Sequence, residues 1–128
     1  MMRDPSLDPK RLGQAGERAA ARYLAAHGYR IVEANFRCRA GEIDLVAREG
    51  DVLVFVEVRT RRGHTFGRPE ESITPAKQRR LRRLARWYLA ARAIPPATPC
   101  RFDVVCASAG PDGAIRKIEL LRDAFRGA

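Results

Sequence analysis

The chain is poor in the residues that build disulfide frameworks and histidine metal sites, with three cysteines and two histidines. Cys38, Cys100 and Cys106 are odd in number and lack C-x-x-C spacing. That argues against a disulfide scaffold or a zinc site and suits a reducing compartment. Cys100 and Cys106, in or beside an apolar strand pattern, read as core residues. His27 and His64 are too far apart to suggest a shared ion, and His27, just before Gly28, reads as a helix end. No apolar run approaches the roughly 20 residues needed to span a bilayer. The first ten residues are polar, carry Pro5 and Pro9, and lack the apolar stretch of a signal peptide. They are expected to form a flexible N-terminal arm (1–10) ahead of a single domain (11–128) in the cytoplasm, with no membrane partner. Lysine is scarce too, confined to Lys10, Lys77 and Lys117, so arginine carries the positive charge.

Charge of one sign is in clear excess. Lys and Arg number 25 against 15 Asp and Glu, a formal charge of +10. Codon bias can explain arginine in place of lysine but not that imbalance. The field favours an anionic partner, nucleic acid ahead of membrane. With 45% hydrophobic and 31% charged residues in 128 positions, one folded domain is expected and two are not.

A helix opening near Asp8-Pro9 should run to about His27 and stop at Gly28. Tyr29 to Phe36 reads as a strand. Two β-prone runs follow, residues 41–47 and 52–58, joined by Glu49-Gly50-Asp51. Residues 61–73 read as a polar loop. Thr74-Pro75 then supplies a cap and first-turn proline for a helix over 75–93, with Leu81, Leu84, Ala85, Tyr88 and Leu89 on its apolar side. Pro95-Pro96 ends it, and Arg101–Ala107 and Ile115–Leu121 read as strands. The order α-β-β-β-α-β-β predicts an α/β domain with a mixed central sheet flanked by helices.

The hairpin carries the chemistry. With Gly50 and Asp51 as the turn, Glu49 pairs with Val52, Val46 with Phe55, Asp44 with Glu57 and Glu42 with Arg59. Alternation then places these last three pairs on one side of the sheet. Opposed carboxylates with Cβ atoms about 5 Å apart repel, unless a cation sits between them or one holds a proton. Glu57, inside Val54-Phe55-Val56-Glu57-Val58, needs such a reason. A solvated sheet end with Arg59 and Arg61 as partners is the simpler alternative. Hard oxygen donors of this kind suit Mg²⁺ or Mn²⁺.

Glu17, Gly41-Glu42-Ile43-Asp44 and Phe55-Val56-Glu57-Val58-Arg59 resemble the PD-(D/E)xK nuclease superfamily, in order and spacing closest to its Holliday-junction resolvase-like members. More closely, Gly13-Gln14-Ala15-Gly16-Glu17 through Arg101-Phe102-Asp103-Val104-Val105, with Phe66-Gly67, Glu71-Ser72-Ile73 and Lys77-Gln78, resemble the YraN-like family. The resemblance implies a restriction endonuclease-like fold and metal-assisted hydrolysis of nucleic-acid phosphodiesters, branched DNA included and DNA ahead of RNA. It implies that Asp44, Glu57 and the Val58 carbonyl hold the cation. Glu17 is an added ligand or positions water; the alternative for Glu17 is a surface ion pair with Arg18 or Arg22. Arg59 stands where the superfamily has lysine, and the usual proline before the metal-binding acid is missing. Arginine can steady charge on a phosphate but stays protonated and cannot act as a base. A non-catalytic nucleic-acid-binding protein on a nuclease scaffold is therefore the alternative function. Junction-resolving relatives act on two strands, which a homodimer would serve.

The helix at 75–93 carries Lys77, Arg79, Arg80, Arg82, Arg83 and Arg86, and follows a loop with Arg61, Arg62, His64 and Arg68. A phosphate-tracking surface is expected there, with Arg61, Arg62 and Lys77 leading and Gln78 turned toward the metal site or toward solvent. Trp87 and Tyr88 read as core residues rather than base-stacking platforms.

Overall fold

The computed structural model describes residues 8–63 and 73–126. Helix α1 (Pro9–Ala26) starts where the sequence supplies a cap: Asp8 accepts from the Lys10 N–H at 3.0 Å, and Pro9 fills the first turn. The helix begins inside the expected arm, of which residues 1–7 lie outside the described residues. His27 caps the other end, and Gly28 turns the chain away with φ +89°. Strands β1 (Arg30–Cys38), β2 (Gly41–Glu49) and β3 (Val52–Arg62) follow, then helix α2 (Pro75–Ala91) and strands β4 (Cys100–Ala109) and β5 (Ile115–Phe125). Thr74 caps α2, its hydroxyl accepting from the Lys77 N–H at 3.2 Å, with Pro75 next.

The strands form one sheet in the order β1-β2-β3-β4-β5. Only β3 and β4 run parallel, because α2 carries the chain back across the sheet between them. Their pairing continues to Arg62↔Ala109, so Arg61 and Arg62 belong to β3 and not to a loop. Residues 64–72, with His64 and Arg68, lie outside the described residues.

The sheet is covered on both faces. Ala20 and Leu24 of α1 pack with Tyr29, Leu45, Ala47, Val54, Val56 and Val105. On the other face Leu81, Leu84, Ala85 and Tyr88 of α2 meet Phe36, Ile43, Val46, Leu53, Phe55 and Phe102. Each large side chain buried here stabilises the fold by about 1.5–3 kcal/mol. Two expectations fail. Cys100, first in β4, is exposed, whereas Cys106 is buried. Tyr88 is core but Trp87 is 46% exposed, since it sits well round the helix from the Leu81/Leu84/Ala85/Tyr88 stripe. Among the described residues no helix is long and apolar enough to cross a membrane.

Close approach of α1 to the sheet positions one candidate site residue. A Cβ added at Gly16 would fall 1.9 Å from the Thr60 Oγ1 of β3, so only glycine lets the helix sit this near. Glu17 is the next residue and is held against the same part of the sheet.

Candidate metal centre

The β2–β3 hairpin turns at Gly50-Asp51 as expected, and its ladder runs Glu49↔Val52, Arg48↔Leu53, Ala47↔Val54, Val46↔Phe55 and Leu45↔Val56. The next pair in that register would be Asp44 with Glu57, but the regular ladder ends first. Asp44 uses its side chain instead, Oδ2 accepting from the Val58 N–H at 2.8 Å.

The reason lies one strand away. Between the pairs Ala34↔Leu45 and Phe36↔Ile43, Asn35 stands opposite Asp44. Asn35 adopts φ +56°, a left-handed conformation that asparagine tolerates. Leu45 faces α1 while Ile43, two residues earlier, faces α2, so β2 changes parity at Asp44. This corrects the expectation that Glu42, Asp44, Val46, Phe55, Glu57 and Arg59 share one side. Val46 and Phe55 pack under α2. Glu42 is not matched to Arg59; it pairs with Arg37 at 3.3 Å.

The parity change gathers carboxylates. One oxygen from each of Glu17, Glu42 and Asp44 lies within 4.8 Å of the other two. The Asn35 amide, with its nitrogen turned toward them, donates to Glu42 Oε1 at 2.8 Å and to Glu17 Oε2 at 3.1 Å. Burial pushes the Asp44 pKa up to about 7, with Glu17, Glu57 and Glu42 adding repulsion against the opposing Val58 N–H. Glu17 is raised as well, first by burial and then by Glu42, with Arg37 opposing.

Glu57 approaches from the α2 side. It is 8% exposed, and its Oε1 meets Arg80 Nη2 of α2 at 3.4 Å. Its Oε2 is buried with no hydrogen-bond partner among the described residues. Glu57 is thus near enough to raise Asp44 yet outside the group of three. Arg59, two residues on in β3, is half-buried and forms no ion pair with a described residue.

The sequence named Glu42 as the partner of Arg59 and Arg80 as one of the basic residues of α2, but gave neither of them, nor Asn35, a part in the carboxylate group. Glu42 had a signal, lying two positions before Asp44 in the same strand. Asn35 and Arg80 had none, since their roles depend on how β1 and α2 dock. The Gln78 amide donates to the Ile73 carbonyl at 3.4 Å and its oxygen accepts from Arg82 at 3.5 Å. Arg61 and Arg62 extend β3 past the carboxylates, and Lys77 opens α2.

The three grouped carboxylates could hold a hard divalent cation, with the unpartnered Oε2 of Glu57 outside that group. The chain matches known sequences over most of its length. A UPF0102 protein of Symbiobacterium thermophilum is 58% identical over 91% of this chain and 97% of its own. Those of Moorella thermoacetica and Geotalea uraniireducens are 49% and 46% identical, over 91% and 98% of this chain and 96% and 97% of their own. The profile of the uncharacterised protein family UPF0102 matches residues 16–107, a span that holds Glu17, Asn35, Glu42, Asp44, Glu57 and Arg59, and the chain belongs to that family.

Proposed function

We propose that this protein is a Mg²⁺- or Mn²⁺-dependent endonuclease of restriction endonuclease-like type, acting on nucleic-acid phosphodiesters and on DNA ahead of RNA. The observation that carries the reading is the buried, unpartnered Oε2 of Glu57 beside three converging carboxylates. A fold gains nothing from such repulsion by itself, and a bound cation removes it. Asp44 and Glu57 would hold the ion with the Val58 carbonyl, and Glu17 and Glu42 supply further oxygens. When bound, the cation polarises a phosphoryl oxygen and lowers the pKa of water.

The chain's own residues do the rest. Asn35 orients Glu17 and Glu42. Arg59 forks onto phosphate oxygens as negative charge grows on them. Arg61, Arg62 and Lys77 hold the flanking backbone within the field of a +10 protein. Three free cysteines fit a cytoplasmic setting, and a homodimer would bring two such sites to two strands.

Arg59 favours a second reading, a non-catalytic nucleic-acid binder, because a guanidinium cannot take a proton from water. One experiment separates the two. Purified protein is incubated with branched, single-stranded and duplex DNA and Mn²⁺, beside Asp44→Ala. Cleavage by the wild type alone is expected, with the mutant at least about 100-fold slower. Equal binding by both proteins without cleavage would replace the enzyme with the binder.

A further inference from the structure

The only tryptophan in the chain does not serve the core. Trp87 is 46% exposed on the outer side of α2, in an open depression of about 310 Å³ lined by Arg83, Arg86, Trp87 and Ala90. Arg83 and Arg86 are exposed and form no ion pair with a described residue. Helix α2 contains no Asp or Glu, so nothing within it neutralises these cations. Among the described residues the other large exposed apolar side chain, Val32, lies on β1, so no described apolar side chain extends the indole into a patch of the kind a protein partner or a membrane would cover. A planar π face beside two guanidinium groups is instead the pairing that recognises a nucleobase and its adjoining phosphates.

The helix links this face to the carboxylates. Arg80, whose Nη2 lies 3.4 Å from Glu57 Oε1, shares a helical stripe with Arg83 and Trp87, at spacings i, i+3 and i+7. Seven residues of helix rise about 10 Å. That equals about three nucleotides of a stacked strand.

Building on the endonuclease reading, we propose that Trp87, flanked by Arg83 and Arg86, is a stacking platform for an unpaired base, so that the substrate carries a single-stranded stretch about three nucleotides from the phosphate at the carboxylate centre. A closed duplex keeps its base faces stacked internally and cannot use the platform. A flap, fork, gap or single strand can.

Because the chain has one tryptophan, its own emission reports on the site. Wild-type protein in EDTA is titrated with an oligothymidylate and with a blunt two-strand duplex of equal phosphate content, and binding is followed separately by anisotropy of a labelled strand. The oligothymidylate should quench the emission and the duplex should bind with little quenching. Trp87→Ala should weaken oligothymidylate binding about tenfold and leave duplex binding unchanged, while Trp87→Phe should retain most of the affinity. Oligothymidylate binding without quenching, at wild-type affinity in Trp87→Ala, would overturn the platform and leave the nucleic-acid reading intact. Failure to bind any nucleic acid would overturn both. An emission shift on anionic vesicles that oligothymidylate does not compete away would assign the face to a membrane. One that grows with protein concentration alone would assign it to a second copy of the chain. Either result removes the proposal.

Discussion

Asp103 and Glu57 lie on neighbouring strands, one register step apart, and both are buried, at 1% and 8% exposure. Asp103 is fully served. It accepts from the Tyr29 hydroxyl at 2.7 Å, from Arg101 Nε at 2.9 Å and from the Asp123 N–H at 2.9 Å. Arg101 also meets Glu49 at 2.9 Å, and Arg122 meets the same carboxylate at 2.7 Å. Tyr29 is held protonated well above its usual range, by burial first and then by its bond to Asp103. Glu57 has one long contact to Arg80 and an unsatisfied oxygen, and its charge adds to the repulsion on Asp44. The same sheet can satisfy a buried carboxylate when the fold uses it. Where it leaves one unsatisfied near three more, the proposed metal supplies the partner from outside the chain.

The comparison is broken most directly by removing each acid in turn. Asp103→Ala strands the Arg101 guanidinium, the Tyr29 hydroxyl and the Asp123 N–H without their acceptor. It should cost about 3–5 kcal/mol in denaturant unfolding. Glu57→Gln removes a repulsive charge and one contact to a half-exposed arginine, so without metal it should change stability by less than about 1 kcal/mol. Equal losses in the two variants would show that both acids serve the fold alone.

Asp44 sharpens the contrast through pH. Its pKa is about 7 in the folded chain against 3.8 ordinarily. Below about pH 4 both states hold the proton, and the group contributes nothing. As pH rises toward 7 the unfolded chain releases it first, so stability falls, and above 7 the full penalty is present. In EDTA the unfolding free energy should decline between about pH 4 and 7, by at most about 4 kcal/mol from this group, and the decline should flatten in Asp44→Asn. Saturating Mn²⁺ at pH 8 should restore about 2.7 kcal/mol at a hundredfold excess over its dissociation constant, in wild type only. A flat wild-type profile in EDTA would remove the repulsion on which the metal centre is argued.

Local signals in the sequence were enough for the scaffold and fell short at the site. Asp8-Pro9, Gly28 and Thr74-Pro75 mark helix ends because capping involves neighbours in the chain. Gly50-Asp51 set the ladder correctly for five pairs for the same reason. At Asp44 the count failed, since the parity change needs a left-handed Asn35 on another strand, and no spacing in residues 41–58 encodes it. Glu57 was recognisable as a charge without a local explanation, but its contact with Arg80 follows from where α2 docks. Trp87 was within reach: the stripe of Leu81, Leu84, Ala85 and Tyr88 places it off the buried side of its own helix. Arg61 and Arg62 were read as loop because β4, which extends β3 through them, lies about 40 residues downstream.

The smallest expected effect tests Arg59, on which the proposed activity turns. Arg59 is half-buried, unpaired among the described residues and two positions beyond Glu57 on the same strand, so its guanidinium is available to a phosphate. Arg59→Lys keeps the charge, and stability should stay within about 0.5 kcal/mol of wild type. The ammonium loses the bidentate fork but, unlike the guanidinium, it can release a proton to water. If water activation limits the rate, Mn²⁺-dependent cleavage should rise about tenfold, and more at pH 8 than at pH 6. A fall in rate would mean the fork onto the phosphate matters more than proton transfer. An unchanged rate would place Arg59 outside the chemistry, leaving the carboxylates to act without a basic partner from β3.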